Sequence, residues 1–415
     1  MRANIQFEFV EFLLQTAGFS EAASWAVHDD LTTTGQTDGY GEEGRGMVAP
    51  QCTDVFVIGG GPAGLAAAIA ARQKGFRVVV ADGATPPIEK PCGEGMMPGT
   101  VAILKTLGVE ISYAESYRFS GISFAQQGAR VAANFPFGLG IGVRRRLLHE
   151  QLIAKAEECG VYLLWRAPVC GIDIDGVRLP FGKIHTSWIV GADGQSSRVR
   201  RWSGLEGTVR TRQRYASRRH YRVRPWSDQV EIHWGDRAQL YVTPIGAEEL
   251  CVVVISDRKE NASFAIAFQE LPELRERLLG SEISGRERGA VTLMRCLNNV
   301  QRGNVALVGD ASGSVDAITG EGLRLAFTQA FALSDAMLSG DLRPYERAHR
   351  QLARRPVFMS RLMLWLSRNP RVRRRVVVAL KSKPDLFAQM LAIHVGGTEV
   401  RRNRGWNGDR LLDVG

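Results

Sequence analysis

Hydrophobic and polar positions follow a strand–helix–strand pattern in the run DVFVIGGGPAGLAAAIAARQKGFRVVVAD, which begins at Asp54. The first apolar stretch ends at Ile58 and predicts a buried strand, because short continuous apolar runs are typical of parallel sheets. A glycine turn follows, then small apolar residues up to Ala71, then a second apolar stretch from Val78 to Val80. This order predicts a parallel β–α–β unit.

The pattern changes several times in the rest of the chain. Residues 143–160 predict a helix, residues 186–200 a strand that enters a tight turn, and residues 304–338 a strand, a loop and a long helix. Between them, residues 212–256 contain short runs of β-forming residues separated by turn residues, which predict an antiparallel sheet. Residues 344–397 have a helical, strongly basic pattern.

Composition indicates an ordinary globular chain. Of its 415 residues, 45% are hydrophobic and 23% are charged, which suffices to bury a core without disulfides. The six cysteines form no CxxC pair and no histidine cluster lies beside them, so we expect no metal site and a reducing, cytoplasmic location. We expect no membrane-spanning helix and no signal peptide, because neither apolar pattern occurs.

Charge is spread unevenly along the chain. The formal net charge is +10, yet acidic residues outnumber basic ones within residues 1–46. Residues 28–50 are rich in glycine, threonine and acids, which predicts a linker. The remaining body is therefore more basic than the total, and a basic body can attract phosphates, anionic lipid or nucleic acid.

A G-x-G-x-x-G motif lies at the turn between the first predicted strand and helix. It consists of Gly59, Gly61 and Gly64, with Ala63 inside it. The first glycine allows the turn, the second lets the backbone approach a pyrophosphate, and the third lets helix and strand pack closely. Asp82 closes the second strand, where an acid accepts hydrogen bonds from ribose hydroxyls. These residues predict a dinucleotide site, against the alternative of a glycine-rich turn in another fold.

Two later motifs favour FAD over NAD. A predicted strand ends in a tight acidic turn with Asp193 and Gly194, and a second buried strand ends at Gly309 and Asp310. An aspartate at that second strand end can accept hydrogen bonds from ribityl hydroxyls.

The second motif continues into a helix that opens near Gly322. Backbone N–H groups from Gly320 through Glu321 to Leu323 lie at its N-terminus, where they can stabilise negative charge on a reduced flavin. Either motif alone could be an ordinary turn, but all three in this order predict an FAD protein.

These patterns predict an α/β fold: a Rossmann-like FAD-binding domain with an inserted antiparallel-sheet substrate domain and a helical C-terminal region. In chain order, we expect an N-terminal extension and linker (1–50), a discontinuous FAD-binding domain (51–210 and 290–340), the antiparallel substrate domain (211–289) and a basic helical region (341–415).

At this point the sequence resembles a known group. The order of G-x-G-x-x-G, G-A-D-G-x-x-S-x-x-R and G-D-A-x-G…G-E-G is similar to that of para-hydroxybenzoate-hydroxylase-type flavoproteins, over roughly residues 52–340. That group includes aromatic hydroxylases, epoxidases, halogenases and geranylgeranyl reductases. The resemblance implies that Arg145 contacts FAD, that Asp193 and Gly194 lie near the pyrophosphate and the entering nicotinamide, and that Asp310 holds the ribityl chain or pyrophosphate.

A second resemblance concerns the chemistry. The segment Lys90-Pro91-Cys92-Gly93-Glu94-Gly95 resembles the K-P-C-G-G segment of geranylgeranyl reductases. This implies that Cys92 and Gly93 lie at the flavin and that Cys92 is catalytic, whereas the alternative is a small buried cysteine. The halogenase W-x-W-x-I-P signature is absent. His220 and His233 are potential acids or bases, and Glu94 and Glu321 could position substrate or flavin.

Two reactions stay open for a lipophilic, isoprenoid or polyketide substrate. Reduced flavin can serve hydroxylation by a monooxygenase, or it can reduce an alkene as in geranylgeranyl reductases. No second G-x-G-x-x-G follows a predicted strand, so NAD(P)H binds transiently or a partner protein delivers electrons.

A flavin-dependent halogenase and a non-catalytic membrane-surface-binding protein are the remaining alternatives. The tail favours peripheral membrane contact, because wide apolar faces occur among many arginines. The intact motifs argue against a vestigial flavin fold. We expect no nucleic-acid partner, since few aromatic residues are interleaved with the basic ones.

Overall fold

The computed structural model describes residues 49–206 and 212–395. The strands are β1 (Cys52–Ile58), β2 (Val78–Ala81), β3 (Gly95–Met96), β4 (Tyr117–Phe119), β5 (Gly121–Gln126), β6 (Ala129–Asn134), β7 (Gly140–Gly142), β8 (Tyr162–Leu164), β9 (Gly171–Asp173), β10 (Gly176–Leu179), β11 (Gly182–Gly191), β12 (Arg212–Arg222), β13 (Gln229–Trp234), β14 (Gln239–Gly246), β15 (Glu249–Ser256), β16 (Glu282–Ile283), β17 (Arg288–Met294), β18 (Gln301–Arg302) and β19 (Val305–Leu307). The helices are α1 (Pro62–Gln73), α2 (Pro98–Thr106), α3 (Arg145–Glu158), α4 (Arg198–Trp202), α5 (Phe264–Glu270), α6 (Pro272–Leu278), α7 (Gly322–Leu338), α8 (Arg343–Arg368), α9 (Pro370–Ser382) and α10 (Pro384–His394). Nearly all of the predicted N-terminal extension lies outside the described residues, as does the end of the tail from residue 396.

The first sheet has a parallel centre in the order β19-β11-β1-β2-β8. β1 lies in the middle and is covered on both faces, which explains its continuous apolar run. Helices α1 and α7 pack against each other above it, through a core that includes Leu65, Ile69, Phe327 and Leu333. The carboxyl ends of the parallel strands meet at one edge, where open α/β sheets bind ligands.

The second sheet has the order β16-β12-β15-β14-β13-β5-β6, with β17 also paired to β12. Its described strands pair antiparallel except for β13 and β5, which run parallel. The predicted fold class, an α/β protein with an antiparallel sheet and C-terminal helices, is confirmed.

Strand pairing crosses the predicted domain boundaries, which stay predictions. Residues 121–134 were assigned to the FAD-binding part, but β5 and β6 extend the second sheet, since the edge of β13 pairs with β5. The strand β17 likewise pairs with β12 across the boundary expected at residue 290. The backbone N–H and C=O groups at the edge of β13 need hydrogen-bond partners, and β5, which is distant in sequence, supplies them.

The two faces of the second sheet differ in chemistry. Leu240, Val242 and Val252 pack beneath helices α5 and α6 in an apolar cluster. Because side chains alternate along a strand, the opposite face carries the intervening residues. Those residues include a buried polar set: Arg214, Arg218, His220, Gln239, Tyr241, Thr243 and Cys251. We call this the inner face.

The tail helices pack along the second sheet. Phe387 of α10 meets Phe124 of β5 with ring centroids 5.6 Å apart, and the buried guanidinium of Arg373 on α9 lies 5.2 Å from the ring centroid of Trp234. At the end of α10, His394 Nε2 lies 3.1 Å from Thr319 O. The predicted helical tail therefore returns to the loop that precedes α7.

Candidate flavin site

The G-x-G-x-x-G turn is built from close backbone contacts. Gly59 has φ +112°, and a Cβ there would lie 2.5 Å from Ala192 O. A Cβ at Gly64 would lie 1.8 Å from Gly59 O, so only glycine lets α1 pack this closely on β1. The side of Gly61 where a Cβ would stand has no described atom within 4 Å. The turn therefore presents open backbone at the N-terminus of α1, as an anion site requires.

Two side chains hold this turn in place. The Asp82 carboxylate accepts hydrogen bonds from Gly60 N at 2.7 Å and Ala84 N at 2.8 Å. His149 Nε2 lies 2.7 Å from Gly60 O, and its Nδ1 accepts from Ile88 N at 3.1 Å. Burial lowers the pKa of His149, which agrees with a neutral ring that donates through Nε2. The ribose contact of Asp82 stays a prediction.

The Asp193 turn caps a short helix. The carboxylate accepts from the Ser197 hydroxyl and from Arg198 N at 2.6 Å and Val199 N at 3.1 Å, which holds the start of α4. Gly194 has φ +78°, and no described atom would meet its Cβ within 4 Å. Asp193 thus shapes the turn with its side chain, while Gly194 leaves room beside it. Their predicted contacts with the cofactor stay predictions.

The third motif lies across the sheet edge from the first. Gly309 has φ +58°, and a Cβ there would lie 2.6 Å from Ala63 Cβ, so the two motifs touch. Asp310 accepts from Lys90 Nζ at 2.7 Å. Gly320, with φ +65°, then turns the chain into α7 at Gly322.

The Glu321 side chain is buried at the start of α7. Its buried carboxylate pairs with Arg324 one turn along α7 and lies 3.9 Å from His394 Nε2. Glu321 Oε1 is buried without a hydrogen-bond partner among the described residues, and the predicted contact of Glu321 with the cofactor stays a prediction.

The Cys92 loop joins the two sheets. Lys90 reaches Asp310 on one side, and on the other the Cys251 thiol donates to Cys92 O at 3.6 Å. Cys92 is half-buried, and its Sγ accepts from Glu94 N at 3.4 Å. The loop thus places Cys92 between the Asp310 turn and the inner face.

Glu94 is the centre of a buried charge network. It has φ +59°, a region that disfavours side chains, and it stands where the K-P-C-G-G pattern has a glycine. Its carboxylate accepts from Arg218 Nη1 at 2.8 Å and from Arg145 N at 3.1 Å, and lies 2.6 Å from His220 Nε2. A strained backbone persists when its surroundings over-determine it, and this network does so.

The network also has the ligand types of a metal site. The ligand atoms of Glu94, His220 and Cys251 lie within 4.8 Å of one another. However, Arg218 already neutralises the carboxylate, and Arg144 Nη1 lies 3.2 Å from His220 Nδ1. Two guanidinium groups at such short range oppose a cation. The described residues therefore favour an ion-pair network here.

The residues of the site fit FAD. The buried Arg145 Nε at the start of α3 has no hydrogen-bond partner among the described residues. Open Cβ sides at Gly61, Gly93, Gly194 and Gly322 leave room for a ligand along the same edge. The starts of α1 and α7 add N–H groups that favour an anion. A dianionic dinucleotide would supply a hydrogen-bond acceptor for Arg145 Nε and would fill the open space beside these glycines.

Sequence reasoning missed the partners on the inner face. Arg218 and His220 stand two residues apart on β12, and that spacing was a signal that they share a face. Nothing in their local pattern indicated Glu94 or Cys251 as partners. His233, in contrast, bonds to Glu231 at 2.9 Å, away from this network.

A Rossmann-like sheet with three converging turns and a polar second sheet defines an FAD-dependent oxidoreductase. The chain belongs to the FAD binding domain family, whose sequence model matches residues 52–340. It is 28% identical to a menaquinone reductase of Mycobacterium tuberculosis over 324 residues, covering 71% of this chain and 79% of that protein.

Two further comparisons agree with this class. A digeranylgeranylglycerophospholipid reductase of Thermoplasma volcanium is 27% identical over 327 residues, which cover 70% of this chain and 80% of that one. A solved flavoprotein/dehydrogenase from Cytophaga hutchinsonii has the same fold, with a TM-score of 0.70, 19% identity and coverage of 84% and 94%.

Proposed function

We propose that this enzyme reduces a carbon–carbon double bond in the isoprenoid part of a lipophilic molecule. The observation that carries the proposal is the position of the Cys92 loop, tied to Asp310 on one side and to Cys251 of the inner face on the other. Relatives named as reductases of menaquinone and of a digeranylgeranylglycerophospholipid support the substrate class.

The reaction requires a hydride and a proton. Bound FAD, once reduced, supplies the hydride. The chain must then hold the alkene, exclude water and deliver the proton to the second carbon. Cys92 is our candidate donor, because the Glu94 N–H bond to Sγ stabilises the sulfur after its proton leaves. Solvent returns the proton to Cys92 after each turnover.

The electrons come from NAD(P)H or from a partner protein. Within the described residues, the first sheet provides the only G-x-G-x-x-G that follows a strand, so a nicotinamide has no Rossmann domain of its own there. We propose that it enters transiently beside Gly194, where the backbone is open. In this proposal, the parallel sheet binds FAD and the inner face binds the substrate. The tail helices cover the substrate.

We further propose that the tail contacts a membrane surface. From residue 354 onward, the exposed residues of α8 recur at helical spacing, and arginine alternates with an aromatic residue: Arg354, Phe358, Arg361, Trp365 and Arg368. Arginines around aromatic side chains suit the boundary between acyl chains and anionic headgroups. Among the described helices, none is long and apolar enough to cross a membrane.

Vesicle flotation tests the membrane contact. Native protein should float with anionic vesicles and much less with neutral ones, and a Phe358→Ser/Trp365→Ser double variant should remain at the bottom. Leu338, exposed on α7, provides the control through Leu338→Ser. Flotation of the double variant at the native level would contradict the proposal.

Product mass tests the reaction. Purified protein should carry FAD, and with NADPH it should add two hydrogen atoms to a menaquinone with an unsaturated side chain. Cys92→Ser should lower turnover more than it lowers the melting temperature, whereas Cys170→Ser, at an exposed position, should change neither. Addition of one oxygen atom would identify a monooxygenase and reject the reductase.

A further inference from the structure

A second buried polar group lies on the inner face, away from Cys92. The guanidinium of Arg214 is fully buried and bonds Asp316 Oδ1 at 3.0 Å through Nη1 and Gln239 Oε1 at 3.2 Å through Nη2. The two partners therefore lie side by side along one guanidinium edge. Each uses one of its terminal side-chain atoms for Arg214.

Tyr241 lies beside this group. It stands two residues after Gln239 on β14, so both side chains share the inner face. Burial raises the pKa of Tyr241, and the nearby charge of Asp316 raises it further while Arg214 lowers it. Its hydroxyl therefore keeps its proton and acts as a donor.

Three atoms of this group are buried without partners among the residues described: Asp316 Oδ2, Gln239 Nε2 and Tyr241 OH. An unpaired polar atom in a protein interior is costly, so such atoms call for an explanation. Their chemistry is complementary, because Asp316 Oδ2 accepts a hydrogen bond while Gln239 Nε2 and the Tyr241 hydroxyl can donate.

The group adjoins the proposed reaction site. Thr243 is the next inner-face residue of β14 and lies against Gly95 of the Cys92 loop. A Cβ on Gly95 would lie 3.3 Å from Thr243 Cγ2. Asp316 belongs to the loop between Asp310 and Gly320, and its N–H donates to Ser360 Oγ of α8 at 3.2 Å. The loop after Asp310, the second sheet and helix α8 therefore meet at Asp316.

We propose that Asp316, Gln239 and Tyr241 bind a hydroxyl group of the substrate, an inference that rests on the proposed function. A hydroxyl oxygen accepts two hydrogen bonds, from Tyr241 and Gln239, and donates one to Asp316. A carbonyl or an ether oxygen leaves Asp316 unpaired, and a hydrocarbon leaves all three atoms unpaired. The site therefore selects an isoprenoid alcohol or quinol by its hydroxyl.

Matched probes test this selection. In the methyl ether of geranylgeraniol, a methyl group replaces the hydrogen that Asp316 would accept, and a menaquinol with its methyl ether distinguishes quinol from alcohol as the source. Binding is measured by titration calorimetry on the FAD-loaded, oxidised protein. Native protein should prefer the hydroxyl member of at least one pair by about tenfold, which corresponds to about 1.4 kcal/mol.

The variants separate ligand binding from folding. Asp316→Asn should reduce the preference to less than about threefold, because only Asp316 distinguishes the two members of a pair, and Tyr241→Phe should weaken the binding of both members by about tenfold, while FAD content stays native. Tyr345→Phe is the matched control, because that hydroxyl donates to Leu307 O at 2.6 Å within the core. The control should lower the melting temperature and keep the preference.

Two results would overturn the inference. One is equal binding of alcohol and ether by native protein that nevertheless reduces the isoprenoid chain, which leaves the proposed function intact. The other is an unchanged preference in Asp316→Asn together with unchanged binding of both members in Tyr241→Phe. If native protein neither binds nor reduces any probe, both this inference and the proposed function fail.

Discussion

His349 couples the stability of this fold to pH. It lies on α8 with Nε2 2.9 Å from Ser312 Oγ, and Ser312 donates its own hydrogen to Gly309 O at 2.8 Å. The ring must therefore donate through Nε2, as a neutral imidazole can. Burial in the first place, and the charge of Arg350 in the second, lower the pKa of His349 from 6.5 to about 4.

The direction of the effect follows from proton uptake. Below pH 6.5 the unfolded chain protonates His349, whereas the folded protein does so only near pH 4. The unfolded state binds more protons in this window, so acidification favours unfolding. The contribution of His349 to the free energy of unfolding is therefore fully present above pH 6.5 and is lost as the pH falls. One pKa unit is worth about 1.4 kcal/mol, so a fall from pH 6.5 to about pH 5 should remove about 2 kcal/mol.

Urea unfolding followed by circular dichroism measures this loss across the window. His349→Gln should lose about 2 kcal/mol less than native protein over the same pH step. His149 contributes in the same direction, because burial lowers its pKa as well, so part of the slope should remain. His185→Gln, at an exposed position, should keep the native slope. A native slope in His349→Gln would refute the reasoning.

Three further outcomes are expected. Gly64→Ala should prevent FAD retention, because its Cβ would lie 1.8 Å from Gly59 O, whereas Gly289→Ala, with no contact closer than 3.8 Å, should retain the flavin absorbance. Asp310→Ala should weaken FAD retention strongly in dialysis, and full occupancy in that variant would reject its role at the cofactor. Glu94→Gln should lower the free energy of unfolding by about 2 kcal/mol, because it weakens the charge-assisted hydrogen bond to the buried Arg218, which keeps Glu89 as its other counter-charge. An unchanged melting temperature would show that the Glu94 network adds no stability.

The sequence by itself predicted the elements whose signals are local. A glycine is required where a strand turns into a helix at close range, and the approach of Gly64 to Gly59 O shows that requirement. The antiparallel runs were also predictable, because β14 and β15 lie within the range 212–256 that was predicted to form an antiparallel sheet. Both depend on residue type and spacing over a few positions, which a sequence displays directly.

Only the tertiary structure determined which distant residues meet. Arg218 and Glu94 are 124 positions apart, and Arg214 and Asp316 are 102 apart. The alternation along β12 indicates which side chains share a face, but not which face is packed under α5 and α6 and which faces the Cys92 loop. The same holds for β5, whose pairing with β13 joins segments 108 residues apart. Register and burial depend on the whole chain, so the polar inner face becomes visible only after the sheets have packed.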